Sequence, residues 1–264
     1  MSETTSNPAQ PIPVSQHQIE IERNKSFWEQ KPLIQEIYRG FYERIRSRID
    51  VSLPGRVIEL GSGIGNLKKH FPDAVCTDLF PNPWLDLACD AYHLPFPDAS
   101  SSNLILFDVF HHLERPFAFL HEAARILVPG GRLILFEPFI SMASSPVYGL
   151  FHHEPIGLSR PIDYCPDPPR GNHYYAAQGN ASRLFFRFVK SLELPSSLRL
   201  VETTAFSSFA YLLSGGLSKP ALYSASLLPV LRSFDSVLSH LPRFFAARCL
   251  VVMQKASASH QKAS

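Results

Sequence analysis

The segment Val57-Ile58-Glu59-Leu60-Gly61-Ser62-Gly63-Ile64-Gly65-Asn66 constrains this chain most. A short apolar run that ends in alternating glycines predicts a buried strand, a tight turn and the start of a helix. Glycines in such a turn let the backbone approach a ligand and expose amide hydrogens to it. A dinucleotide fingerprint would place its third glycine at position 66, where this chain has Asn66. The spacing therefore argues against a nicotinamide or flavin cofactor, without excluding an NAD(P)-dependent oxidoreductase.

The pattern continues downstream. Ala74 to Thr77 predicts a second strand ending at Asp78, and Leu85 to Cys89 a third ending at Asp90. Asn103 to Asp108 predicts a fourth, and Arg132 to Phe136 a fifth. Between the last two, Phe117, Leu120, Ala124 and Leu127 recur at helical spacing and stop at Pro129-Gly130-Gly131. Alternating strands and helices predict an α/β fold with a parallel sheet and right-handed crossovers. Ligands bind beyond the carboxyl ends of such strands. Gly61, Asp78, Asp90, Asp108 and Glu137 all fall there. Asp78 at the second strand end suits both ribose hydroxyls of an adenosine, although Asp78-Leu79-Phe80-Pro81 is also strongly turn-forming. Asp90 could meet an adenine amino group or serve only as a loop acid.

These motifs together resemble a class I S-adenosylmethionine (SAM)-dependent methyltransferase of the type 11 methyltransferase-domain group. The residues that carry the resemblance are Glu59 to Gly65, Thr77-Asp78, Asp90 to Phe96, Phe107 to Leu113 and Arg125 to Leu133, in the usual order. The resemblance implies a Rossmann-like, doubly wound, seven-stranded sheet, mostly parallel, with the last strand antiparallel. It implies SAM as cofactor and methyl transfer to an oxygen, nitrogen or carbon acceptor. Glu59, Gly61, Gly63 and Gly65 would surround the methionine part, Asp78 and Leu79 the ribose, Asp90 and Ala91 the adenine, and Phe107 and Asp108 the sulfonium. One departure stands out. The family has a helix between its second and third strands, and here Leu79 to Trp84 leaves no room for one. A SAM-binding regulatory protein without turnover is the remaining alternative.

The sulfonium already activates the methyl group, so the enzyme mainly aligns the acceptor and removes its proton. His112 belongs to the pair His111-His112, which would supply a base or fix its loop by hydrogen bonds. His152-His153-Glu154 lies in an irregular stretch after the fifth strand and would supply a base; its spacing matches no metal motif, and no metal is expected. Asp108 would stabilise positive charge, orient an acceptor amine, or serve the start of the next helix.

The flanking regions are less regular. Residues 1–16 and 256–264 are polar and predict disordered tails, with no apolar signal segment in the first. Ile19 to Ile49 carry helical spacing interrupted at Pro32, which predicts two helices within residues 17–55. The cofactor-binding core is expected over 56–138 and an insert or lid over 139–194, helical over 183–194. Strands at 198–204 and 244–253 and apolar helices complete the domain, which spans 17–255. Residues 206–231 are apolar but broken by Gly215-Gly216, Pro220 and Pro229, so they do not predict a membrane span. They would be buried helices, an acceptor pocket or a peripheral membrane patch.

Composition sets outer limits. Hydrophobic residues at 45% allow a large core, and the net charge of +2 argues against a nucleic-acid partner. A small-molecule or lipid-like acceptor is expected instead. The four cysteines are widely separated and suit a reducing cytoplasm.

Overall fold

A computed structural model describes residues 14–152, 154–169, 175–189, 192 and 194–257. The expected tails fall mostly outside these residues, but 14–16 form the first turn of a helix.

Two helices open the chain, α1 (Val14–Gln30) and α2 (Pro32–Arg46). Pro32 occupies the first turn of α2, where its missing N–H removes no helical hydrogen bond. Then follow β1 (Arg56–Leu60), β2 (Val75–Asp78), β3 (Leu87–Ala88), β4 (Ser101–Phe107), α3 (Pro116–Ile126), β5 (Leu127–Pro138) and α4 (Ser145–Phe151). The last part holds α5 (Asn180–Ser182), β6 (Leu198–Ser207), α6 (Phe209–Leu213), α7 (Leu228–Leu238), α8 (Pro242–Phe245) and β7 (Ala246–Lys255).

The strands form one sheet in the order β3-β2-β1-β4-β5-β7-β6. β1 to β5 pair in parallel, and β7 runs antiparallel between β5 and β6. This is the Rossmann-like arrangement expected from the sequence. The strand order reverses direction between β1 and β4, so the crevice for a ligand opens above Leu60 and Phe107.

Strand periodicity divides the core between the two faces. Leu104, Leu106, Leu133, Leu135, Val251 and Met253 pack on the face covered by Phe117 and Leu120 of α3. Ile105, Phe107, Ile134, Phe136, Leu250 and Val252 pack on the opposite face under Ile34, Tyr38, Phe41 and Ile45 of α2. The helical residues sit three and four apart, so one side of α2 is continuous with the sheet. Burying a side chain of that size is worth about 1.5–3 kcal/mol.

One local expectation holds and two need correction. The crossover from β2 to β3 contains no helix, as the short spacing required. The helix expected after Ile64 is a 3₁₀ turn at Asn66–Lys69. Among the described residues, the helix expected over 183–194 is a π-helical turn at Arg183–Arg187, preceded by the short α5. Apolar content in that stretch reflects burial of Leu184 and Phe185 rather than a long helix.

Residues 206–231 divide in two. Phe206, Ala210 and Leu228 join the core, whereas Leu222, Leu227 and Val230 are exposed. Among the described residues no helix is long and apolar enough to cross a membrane.

Candidate active site

A cleft of about 360 Å³ opens at the carboxyl ends of β1 and β4. That volume lies within the range of small-molecule and cofactor sites. Its floor includes Glu59, Gly61, Ser62, Gly63, Phe107 and Asp108. Its walls come from α1 through Ile21, from α4 through Tyr148, and from Tyr211 to Lys219. Lys31 holds the last wall in place by donating to the carbonyls of Ser214, Gly216 and Lys219 at 2.9, 2.6 and 2.7 Å.

The turn after β1 is built for close approach. Gly61 has φ +66°, and a Cβ there would lie 2.2 Å from Val109 Cγ2. Gly63 has φ +53°, and its missing Cβ leaves open space bounded only by Ile21 Cδ1 at 3.8 Å. The turn is tied to β2: Ser62 N–H donates to Thr77 O at 2.8 Å, and Gly63 N–H donates to Asp78 Oδ2 at 3.0 Å. Asp78 Oδ1 also accepts the Leu79 N–H at 2.7 Å. The carboxylate that ends β2 thus fixes the glycine turn directly.

Glu59 is buried beneath this turn and accepts the Cys76 thiol at 3.7 Å. Burial pushes its carboxyl up to about 8, against the opposing hydrogen bonds from Ser62 and Cys76.

Asp108 follows β4 with φ +58°, a left-handed conformation uncommon for a residue with a Cβ. Its Oδ2 accepts Arg248 Nη2 at 2.8 Å. Arg248 is 1% exposed and reaches the site from the start of β7. Phe41, Phe107, Phe136 and Tyr211 surround its guanidinium, with ring centroids 5.0–5.5 Å away. Burial opposes its charge, but Asp108 outweighs that and keeps Arg248 protonated. Asp108 Oδ1 is buried with no hydrogen-bond partner.

Beside Asp108 stands a second polar cluster. Glu137 at the end of β5 accepts the Val109 and Phe110 N–H groups at 2.8 and 2.7 Å through Oε1. Its Oε2 lies 2.6 Å from His111 Nδ1. His111 Nε2 and His112 Nε2 lie 3.3 and 3.4 Å from the two oxygens of Glu154. His112 Nδ1 lies 3.1 Å from Tyr175 O. Burial opposes charging of His111, yet Glu137 and Glu154 outweigh it and raise the ring to about 10. Burial and the neighbouring His111 lower His112 to about 4. Burial would raise Glu154, but the three histidines around it hold it below the usual carboxylate range.

The structure brings together some of the expected residues and separates others. Glu59, Gly61, Gly63, Phe107, Asp108, His112 and His152 line one cleft. Gly65, Asp78, Leu79, Asp90 and Ala91 do not line it. Asp90 is engaged locally, accepting the Tyr92 N–H at 3.0 Å beside His93. Leu79 is exposed. His153 lies outside the described residues. Arg248 and Gln178 were missed from sequence, yet an arginine inside Ala246-Ala247-Arg248-Cys249-Leu250 is itself a signal, because a buried charge requires a partner.

Residues 58–135 match the family model described as Methyltransferase domain. Over these residues the chain is similar to methyltransferase domains. Curated relatives are human and mouse proteins named Probable tRNA methyltransferase 9B, 28% and 27% identical over 119 residues. Each alignment covers 40% of this chain and 26% or 27% of the relative. The chain thus spans about a quarter of the length of the curated relatives it matches. The methyltransferase solved with the Haloferax volcanii Trm112 activator shares the fold, with a TM-score of 0.50 and 17% identity, covering 92% of this chain and 96% of that one.

These names overturn the exclusion of a nucleic-acid partner drawn from net charge. The relatives are named for tRNA, and a sum of charges does not report where the cations lie on the surface.

The residues of the cleft fit the domain's cofactor. SAM is cationic at its sulfonium and ammonium, and the floor offers the buried carboxyl of Glu59 and the half-buried carboxyl of Asp108, the latter with Oδ1 unpartnered. The open space over Gly63 admits a ligand backbone that a Cβ would block.

Proposed function

We propose that this chain transfers the methyl group of SAM to a protic oxygen or nitrogen of an acceptor held against His112, His152 and Glu154. The observation that carries this reading is the sharing of one cleft by the cofactor floor and the histidine–carboxylate wall. When bound, SAM supplies a methyl group on a positively charged sulfur. The bond from carbon to the acceptor forms as the bond to sulfur breaks, and the electron pair leaves with sulfur. The acceptor's proton passes to the wall.

The residues have separate tasks. Glu59, Gly61 and Gly63 hold the methionine part, and Asp78 holds the glycine turn in place from the end of β2. Asp108 faces the positive charge while Arg248 fixes its orientation, so its task is positioning rather than proton removal. Tyr148, Tyr211, Leu212 and Leu217 give the cleft an aromatic and apolar wall that excludes water from the transfer. The four cysteines are all free, in keeping with work in a reducing cytoplasm.

The test is incubation with isotopically labelled methyl-SAM and separate lysate fractions of small molecules, lipids, proteins and total RNA. RNA is included because of the relatives' names. Label in a defined product, lost with Asp78→Ala, supports the reading. Tight NADH binding with no SAM binding would overturn it in favour of an oxidoreductase. SAM binding with no label in any fraction would favour a regulatory protein.

A further inference from the structure

We propose that His111, His112 and Glu154 form a divalent-cation site, of the zinc class in donor set, in the wall of the cleft. All three donor atoms lie within 4.8 Å of one another. The separations discriminate between a cation and a simple ion pair. Charge-assisted N–H to carboxylate bonds run about 2.7–2.9 Å. The two histidine Nε2 atoms stand 3.3 and 3.4 Å from Glu154. A tetrahedral ion with bonds of about 2.1 Å separates its ligand atoms by roughly 3.4 Å. The observed separations, one to each oxygen of Glu154, match that spacing better than they match a hydrogen-bonded ion pair.

The outer contacts point the same way. A histidine that ligates a metal through one nitrogen normally donates its other N–H to a carboxylate or a carbonyl. His111 directs Nδ1 to Glu137 and His112 directs Nδ1 to the carbonyl of Tyr175. Both arrangements leave Nε2 as the ring nitrogen that faces Glu154. Glu137 is itself anchored by two backbone N–H groups, so the His111 ring cannot turn away. A third observation is independent of these. Gln178 is 1% exposed, donates its amide to Glu154 and toward His152 Nδ1, and leaves Oε1 buried without a partner. That is polar capacity built into the cluster beyond what the protein groups use.

The second candidate set, Asp108, His111 and Glu137, is weaker. Arg248 already occupies Asp108, and Glu137 already holds the His111 Nδ1 side. In the favoured site the ion replaces the proton on His111 Nε2, and binding releases it. Three protein ligands leave one tetrahedral position, and all three residues line the cleft. That position suits an acceptor oxygen; this role, unlike the binding itself, rests on the methyl-transfer reading above.

The test strips the purified full chain with a chelator and titrates it with Co²⁺, a visible reporter for zinc sites, followed by competition with Zn²⁺. One equivalent should produce the absorption band of four-coordinate Co²⁺, and Zn²⁺ should erase it. His112→Gln and Glu154→Gln should each weaken binding by at least on the order of 100-fold. The exposed His240→Ala should leave it unchanged. Calorimetry of SAM binding without metal shows whether each variant is folded, and it separates failure of the cation site from failure of the methyltransferase reading. X-ray absorption on the zinc-loaded wild type should show two imidazoles, a readout that needs no variant. No band, a band insensitive to both glutamine variants, or zinc without imidazole neighbours would overturn the proposal.

Discussion

Glu59→Gln separates what the glycine turn costs in stability from what it gains in binding. Burial raises the Glu59 carboxyl from 4.5 to about 8. At about 1.4 kcal/mol per pH unit, that rise is of order 5 kcal/mol. The sign follows from linkage. A carboxyl raised by folding leaves stability intact below its unfolded value near 4.5 and removes it as pH rises through 8. The cofactor-free protein should therefore lose stability between about pH 5 and pH 8, with Glu59 responsible for a few kcal/mol of the loss. Glutamine keeps the shape and removes the titration. Urea unfolding of both proteins at pH 5, 7 and 9 should show Glu59→Gln nearly level with wild type at pH 5 and clearly more stable at pH 9. The same variant should bind SAM more weakly, since the ammonium of the methionine part loses its carboxylate. Wild type should release the larger part of a proton on binding SAM at pH 7, read from calorimetry in buffers of different ionisation enthalpy. S-adenosylhomocysteine carries the same ammonium and should release as much. Parallel pH profiles for the two proteins, together with no proton release, would refute the reasoning.

Other substitutions probe the neighbouring parts. Arg248→Met leaves Asp108 without its partner, and should destabilise by about 3–5 kcal/mol in thermal or urea unfolding. Asp78→Ala removes the acceptor for the Gly63 and Leu79 N–H groups, and should weaken SAM binding by about 10- to 100-fold in calorimetry. Gly61→Ala forces a Cβ into Val109 and should abolish cofactor binding and lower Tm sharply. Gly63→Ala has room and should cost only about 1–2 kcal/mol of backbone strain in unfolding, while its methyl group still obstructs the cofactor.

The glycine turn was legible because its physics is local. A strand that must end in a turn with positive φ writes its glycines into sequence, and Gly61 and Gly63 stand where the spacing put them. The two N-terminal helices were legible from Pro32 and from spacing on α2. The acceptor wall was legible only in part. His111-His112 and His152-His153-Glu154 are about forty residues apart, and nothing in either stretch says that Glu154 sits between two imidazoles. Arg248 was hidden by its apolar strand, because its partner lies on β4. The strands β6 and β7 were visible as apolar runs, but their antiparallel pairing depended on the family resemblance. Asp90 matched a motif by position, and its carboxylate also closes a local turn.

The Arg248–Asp108 pair has a further consequence for how the chain is made. Asp108 and its partner are 140 residues apart, so the floor of the cleft is joined by a strand that leaves the ribosome long after the glycine turn. Until β7 inserts between β5 and β6, Asp108 must stay in water or remain protonated, and the aromatic box has no cation to close on. Competence to hold the cofactor is thus acquired only once β7 is in place. A chain that has built β1 to β5 alone would contain every motif that carries the resemblance and still lack a finished site. The cofactor, when it binds, selects chains in which β7 has docked.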